Sequence, residues 1–275
     1  MSKTKRKLTF TTVFALLILA LAIMMSIAPG LFTVYDPLKT DPLNRLQGIS
    51  AEHICGTDEL GRDIWTRIVY GTRNSMSVGL GTAALALLLG VPLGLFAGWR
   101  GGFWDSLIMR IMDAFQSFPP VLLAILFITV FDPSVITLIF TIALVSFPYF
   151  ARIVRSSVLY IKTTEYVAAA RSFGARSSYL LLRTILPNCI GSIVVQFSLL
   201  AATAILIEAS LSFLGMGIQA PEPAWGSMLS YAKDYVDRSI SYVIAPTAAI
   251  FLVVLSINLL GDAISDWANP KNRKG

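Results

Sequence analysis

The sequence predicts an all-α membrane protein of six transmembrane helices with both termini on the cytoplasmic side. Three observations carry that prediction. Only 14% of the 275 residues are charged while 55% are apolar, against roughly 25% charged in a soluble domain, and mean hydropathy is +0.71. The apolar residues gather into runs that match a hydrocarbon core of about 30 Å, or some 20 helical residues. Lys and Arg fall in the gaps between the runs, and unequally on the two sides.

The first run, 8–28, follows Lys3, Lys5, Arg6 and Lys7 and contains no charge. It covers about 31 Å as a helix. Ser26-Ile27-Ala28 resembles a small-x-small cleavage site, but the run exceeds the core of a signal peptide and Pro29 follows the site, so an uncleaved span is expected. A long polar segment, 29–74, comes next. The second span is expected over 75–98, the third over 114–131, the fourth over 134–151, the fifth over 190–214 and the sixth over 242–260. Domain limits follow: 1–28 is the amino terminus with its span, 29–74 an extracytoplasmic segment, 75–262 the core and 263–275 a cytoplasmic tail. In the second span Gly90, Gly94 and Gly98 recur every four residues, with Gly79 and Gly81 before them. That spacing lines one helix face with glycine, where a neighbouring backbone can approach. Pro92 among them removes one helical hydrogen bond, so static packing and a flexible gating point both stay open.

Orientation follows from the positive residues. With the amino terminus inside, fifteen of the 22 Lys and Arg residues lie in inner segments and seven in outer ones, where Asp36, Asp41, Glu52, Asp58, Glu59 and Asp63 offset five of them. The net charge of +6 is thus spread along the inner face, which excludes a nucleic-acid surface. Cys55 and Cys189 fall on opposite sides and are not expected to pair. His53 is the only histidine, expected to be solvated, and makes no metal site alone. No lysine follows a glycine, so a phosphate-binding loop is missing, and a single loop histidine offers no catalytic triad.

The inner segment between the fourth and fifth spans is far longer than a plain connector needs. Its core, about 156–189, holds an Ala-rich stretch beginning at Glu165, which favours a short helix. Gly174 can end that helix in a left-handed conformation. A second amphipathic stretch then runs to Leu186, where Pro187 should stop it. The result is a helix-turn-helix with Gly174 at its tip. Phe173, Tyr179, Leu180, Leu181 and Leu182 lie in this aqueous segment and need a partner surface.

This segment resembles the EAA loop of binding-protein-dependent ABC permeases: Ala169-Ala170, then Gly174, then Leu186-Pro187 at the family's intervals. Ala168 replaces the usual glutamate and Thr184 the usual isoleucine, while Glu165-Tyr166-Val167 is similar to the peptide-permease variant. The stretch from His53 through Gly56, Asp58, Glu59, Gly61, Arg62 and Asp63, with Arg67, Tyr70, Gly71 and Arg73, resembles the C-type subunits of dipeptide, oligopeptide and nickel permeases. So do Glu208 to Gly217 followed by Trp225-Gly226, and Asn258 to Asp262 with Asp266 and Pro270. The resemblance implies a type I ABC importer permease fold in a bacterial inner membrane. It implies a homologous second permease, two ABC ATPase subunits and an extracytoplasmic binding protein as partners, beside membrane lipid and without nucleic acid. ATP and Mg are then expected on the ATPases, with no cofactor or metal on this chain. Docking on an ATPase is implied for Glu165, Ala169, Ala170, Ser172, Phe173, Gly174, Ala175, Arg176, Leu186 and Pro187. The expected function is a non-catalytic permease subunit for di- or oligopeptides, with nickel or a metal chelate as the alternative cargo. A secondary transporter is remote, since Glu208 is the lone acid inside a span and no internal repeat is visible.

Glu208 has two readings, a pathway or gate residue, or an acid near the outer end satisfied by an arginine or a backbone group. Asp58, Arg62 and Asp63 likewise have two: a cluster holding the outer segment on the bundle, or a contact with the binding protein.

Overall fold

The computed structural model of the protein describes residues 9–268. Lys3, Lys5, Arg6, Lys7, Pro270, Lys271, Arg273 and Lys274, on which part of the charge count and one motif rest, lie outside the described residues. The chain is helical: α1 (Phe10–Ile27), α2 (Ile64–Arg100), α3 (Gly102–Gln116), α4 (Pro120–Ile128), α5 (Val135–Ile161), α6 (Glu165–Ser172), α7 (Ser177–Phe213), α8 (Trp225–Ala232) and α9 (Ile240–Ala268). No strand occurs among the described residues; Thr57 and Asp63 make an isolated antiparallel bridge. Helices α1, α2, α5, α7 and α9 are each long and apolar enough to cross a membrane.

The expected third span, 114–131, is a different object. Pro119 and Pro120 interrupt it, because proline lacks a donor and drives the residue before it out of the helical region. The apolar part becomes the nine-residue α4. The sixth candidate span is α3 and α4 taken together, bent by 83°.

Three helices also outrun their apolar runs. Helix α2 begins at Ile64, well before the run at Ser75, and α5 continues ten residues past Ala151 to Ile161. Pro187 does not stop the second stretch, which passes without a break into the fifth span. A π turn over Leu180–Ile185 makes this work. Leu186 N–H bonds to Leu181 O, one residue further back than in an α-helix, so the wider turn absorbs the proline's missing donor. Asn188 donates its side-chain amide to Thr184 O at 2.6 Å.

The chain forms two compact units, 9–76 with 208–263, and 77–207 with 264–268. In the second unit α2 and α5 lie backbone to backbone. A Cβ on Gly90 would stand 2.5 Å from Phe147 O, one on Gly94 2.4 Å from Ala151 O, and one on Gly98 2.9 Å from Val158 Cβ. Gly79 instead faces Ala201 and Ile205 of α7, and Gly81 faces Ile139 of α5. The glycines of α2 therefore serve two helices. Close backbone packing supplies the attraction here, since lipid competes with any apolar side-chain contact.

Candidate functional site

The loop from Glu165 to Pro187 belongs to the second unit. Thr164 turns its hydroxyl back to Ile161 O, and α6 starts after it with Glu165 in the first turn, where a carboxylate suits the helix dipole. Val167 is buried and anchors α6, which packs on the 180–185 turn. The far end closes with Gly174 N–H bonded to Arg171 O and Ala175 N–H to Ala170 O, both near 3.0 Å. This 6→1 and 5→2 pair is a Schellman cap, and it needs a left-handed residue at Gly174. The observed φ is +82°, and nothing lies within 4 Å of a Cβ built there. Gly174 is thus required by its backbone angle and not by any neighbour within the chain.

Beside that turn Phe173 is 92% exposed, and Tyr166, Tyr179 and Leu182 are exposed as well. Leu180 departs from expectation. It is 1% exposed, because the π turn rotates it inward together with Ile185. Leu181 is half-buried. Ala169, Ser172 and Arg176 are also exposed, Ala170, Ala175 and Leu186 half-buried, and Pro187 exposed. Arg171 lies over the Trp99 ring at 5.0 Å, and Lys162 donates to Gly98 O at 2.8 Å.

In the first unit Asp58, Arg62 and Asp63 come together and are buried. Asp58 accepts from the N–H groups of Leu60 and Arg62 at 2.9 Å and from Arg62 Nε at 2.6 Å; Arg67 Nε approaches it at 3.5 Å. Burying such a pair costs desolvation energy that only a full set of hydrogen bonds offsets. Glu59 bridges Arg62 and the Tyr242 hydroxyl. Asp63 caps α2 by accepting from Thr66 N at 2.7 Å. Asp63 followed three residues later by Thr66, just ahead of an apolar helix, is a readable start signal for α2. Contrary to expectation His53 is not a solvated side chain: its Nδ1 is 2.9 Å from Asp63 Oδ1 and its ring lies against Tyr35. Cys55 and Cys189 are both free. Burial, and secondarily the Asp63 carboxylate, raise the Cys55 thiol above its ordinary range.

Glu208 is fully buried, but its partners are hydroxyls and not an arginine or the backbone. Ser212 Oγ donates to Oε1 at 2.7 Å and Ser75 Oγ reaches Oε2 at 3.4 Å. Ser75 Oγ also accepts from Trp225 N, while Trp225 Nε1 bonds to Ile68 O at 3.1 Å. A Cβ on Gly226 would stand 2.5 Å from Ala209 Cα. Glu208 is therefore linked through Ser75 to the backbone of Trp225, a placement that hydropathy alone does not reveal.

The chain thus has helices long and apolar enough to cross a membrane and an exposed apolar turn on one loop. The model of the family described as "binding-protein-dependent transport system inner membrane component" matches residues 90–274. The dipeptide transport system permease protein DppC of Alkalihalophilus pseudofirmus is 43% identical over 94% of this chain and 85% of its own length. The oligopeptide permease OppC of Bacillus subtilis is 39% identical over 94% and 85%, and the glutathione permease GsiD of Pectobacterium atrosepticum 43% identical over 84% and 76%. A chain of the methionine ABC transporter MetNI, in an inward-facing structure, superposes with a TM-score of 0.63 at 18% identity, over 74% of this chain and 96% of that one, and so shares the fold. These matches imply ATPase and substrate-binding partners and exclude a catalytic role for the chain itself. This chain belongs to the family of inner-membrane permease components of binding-protein-dependent ABC transport systems.

Proposed function

We propose that the chain forms half of a translocation pathway for di- or oligopeptides. It pairs with a homologous permease, draws on two ATPase subunits that bind ATP and Mg, and receives cargo from an extracytoplasmic binding protein. Both termini and α6 face the cytoplasm, and residues 29–63 face the outside. The chain itself holds no cofactor. The observation that carries this reading is the loop tip: Phe173 exposed beside a left-handed Gly174 with open space around it. An apolar side chain on a well-formed but uncovered turn is what an ATPase groove would receive. ATP-driven closure of the ATPases would push on this turn and shift the bundle between its two facing states, which requires the ATPases to bind those states differently.

The relatives named for dipeptides, oligopeptides and glutathione favour peptide over nickel. For Glu208 the hydroxyl partners and the overlying Trp225 support a structural seat, and not a gate. A photo-crosslinker at position 173 in the assembled complex should capture an ATPase subunit, and unlabelled dipeptide, not nickel, should compete for uptake of a labelled dipeptide. Capture of lipid alone would overturn the docking claim, and competition by nickel alone the cargo claim.

A further inference from the structure

Helix α5, which leads into the loop, is tied to α3 of the bent α3–α4 pair by a specific contact. Arg155 lies on α5, ten residues ahead of the start of α6. Its guanidinium grips Asp105 of α3 with both arms: Nε bonds to Oδ1, and Nη2 to Oδ2 at 2.6 Å. The two side chains are 31% and 15% exposed. A second pair, Arg152 with Asp113, joins the same helices but is 45% and 61% exposed. Exposed single-arm pairs contribute little, whereas a two-armed, sheltered pair fixes both distance and angle. Two more contacts hold the adjoining corner, Lys162 on Gly98 O and Arg171 over Trp99. Between α2 and α3 the chain turns through Gly101 and Gly102, at φ +69° and +58°, and a Cβ on either would meet nothing within 4 Å. No atom packs on the glycines of that corner, and α3 is set against α5 by the edge-on Phe115–Phe147 contact together with the Asp105–Arg155 fork, the sheltered polar link between the two helices.

We propose that Asp105 is a positioning residue which, through Arg155, carries displacement of the Gly174 loop to the bent α3–α4 pair, and so links ATP hydrolysis to opening of the pathway. This rests on the coupling role proposed for the loop. Movement of α6 reaches α5 directly, since three residues separate them, and Arg155 passes it on to α3. Helix α4 follows α3 across the bend at Ser117–Pro119.

The test uses the complete transporter in lipid vesicles with its binding protein and a labelled dipeptide, and reads peptide moved per ATP hydrolysed. That ratio should fall about tenfold in Asp105→Asn and in Arg155→Gln, and again about tenfold, not a hundredfold, in the double variant, because a shared interaction is lost only once. Asp105→Glu, which keeps the charge, should recover most of the ratio. The amount of assembled complex and its bound ATPase are measured separately. An unchanged ratio in Asp105→Asn, losses that multiply in the double variant, or transport that falls only in step with the amount of complex would each overturn the proposal. Gly174→Asp in the same assay separates the two ideas. If it leaves uptake and stimulated hydrolysis normal, the coupling role of the loop fails, whatever the Asp105 ratio shows. If it abolishes them while Asp105→Asn keeps its ratio, the role of Asp105 alone fails.

Discussion

Gly61 and Gly174 hold nearly the same left-handed backbone, at φ +77° and +82°, in regions of opposite character. A Cβ on Gly61 would stand 1.8 Å from Asp41 O, inside a segment whose buried charges are matched almost atom for atom. A Cβ on Gly174 would meet nothing. Its neighbour Phe173 is exposed, while the backbone around it is fully capped. The 29–63 segment is finished in its buried charges, though Leu31, Val34, Leu43 and Ile49 stay exposed on its surface. The 165–187 loop is finished in its hydrogen bonds but not in its apolar surface. The difference lies in what demands each glycine: at Gly61 the chain's own packing does, and at Gly174 only the backbone angle does, which leaves the space around that turn open to a partner.

Substitutions can break that contrast. The largest effect is expected at Gly61→Ala, which forces the backbone off Asp41 and adds the cost of a left-handed alanine, on the order of 3 kcal/mol or more in all. Membrane levels of the protein should fall sharply, as read by quantitative blotting and by thermal stability in detergent. Wild-type levels would mean that the segment packs less tightly than described. Gly94→Leu comes next, since its Cβ already meets Ala151 O at 2.4 Å; overpacking there should cost about 1–3 kcal/mol. A thermal midpoint equal to wild type would place that face against lipid. The smallest effect is expected at Arg176→Ala, an exposed side chain on the loop, where stability should stay within about 0.5 kcal/mol. A larger loss would mean that Arg176 holds the loop together.

Much of this architecture was legible in the residues. The apolar runs locate five of the helices, and the four-residue glycine spacing marks the α2–α5 contact. Gly174 reads directly as a helix end. What escaped has physical causes. Hydropathy measures lipid contact and not hydrogen bonding, so the polar starts and ends of α2 and α5 were invisible to it. Helix α3 was missed because Asp105, Arg110 and Asp113 mask an apolar face that buries Ile108 and Met112. Pro187 misled because a proline reads as a stop unless the preceding turn widens, as the π turn over Leu180–Ile185 does. For Asp58, Arg62 and Asp63 the residues alone leave both readings open; that all three are buried is a property of the fold and not of any local pattern. The docking of Trp225 on Ile68 and Ser75 joins residues some 150 positions apart, which no local pattern reveals.

The coupling role proposed for the Gly174 turn is tested most directly by one measurement: peptide-stimulated ATP hydrolysis and peptide uptake by the complete transporter in lipid, with Gly174→Asp in place of the wild-type chain. The open space around Gly174 lets the chain fold at a strain of roughly 1 kcal/mol, so the variant should reach the membrane. Stimulation and uptake should then be lost, with less ATPase retained or with hydrolysis no longer answering to peptide. Normal stimulation together with normal uptake would contradict the coupling role of the turn.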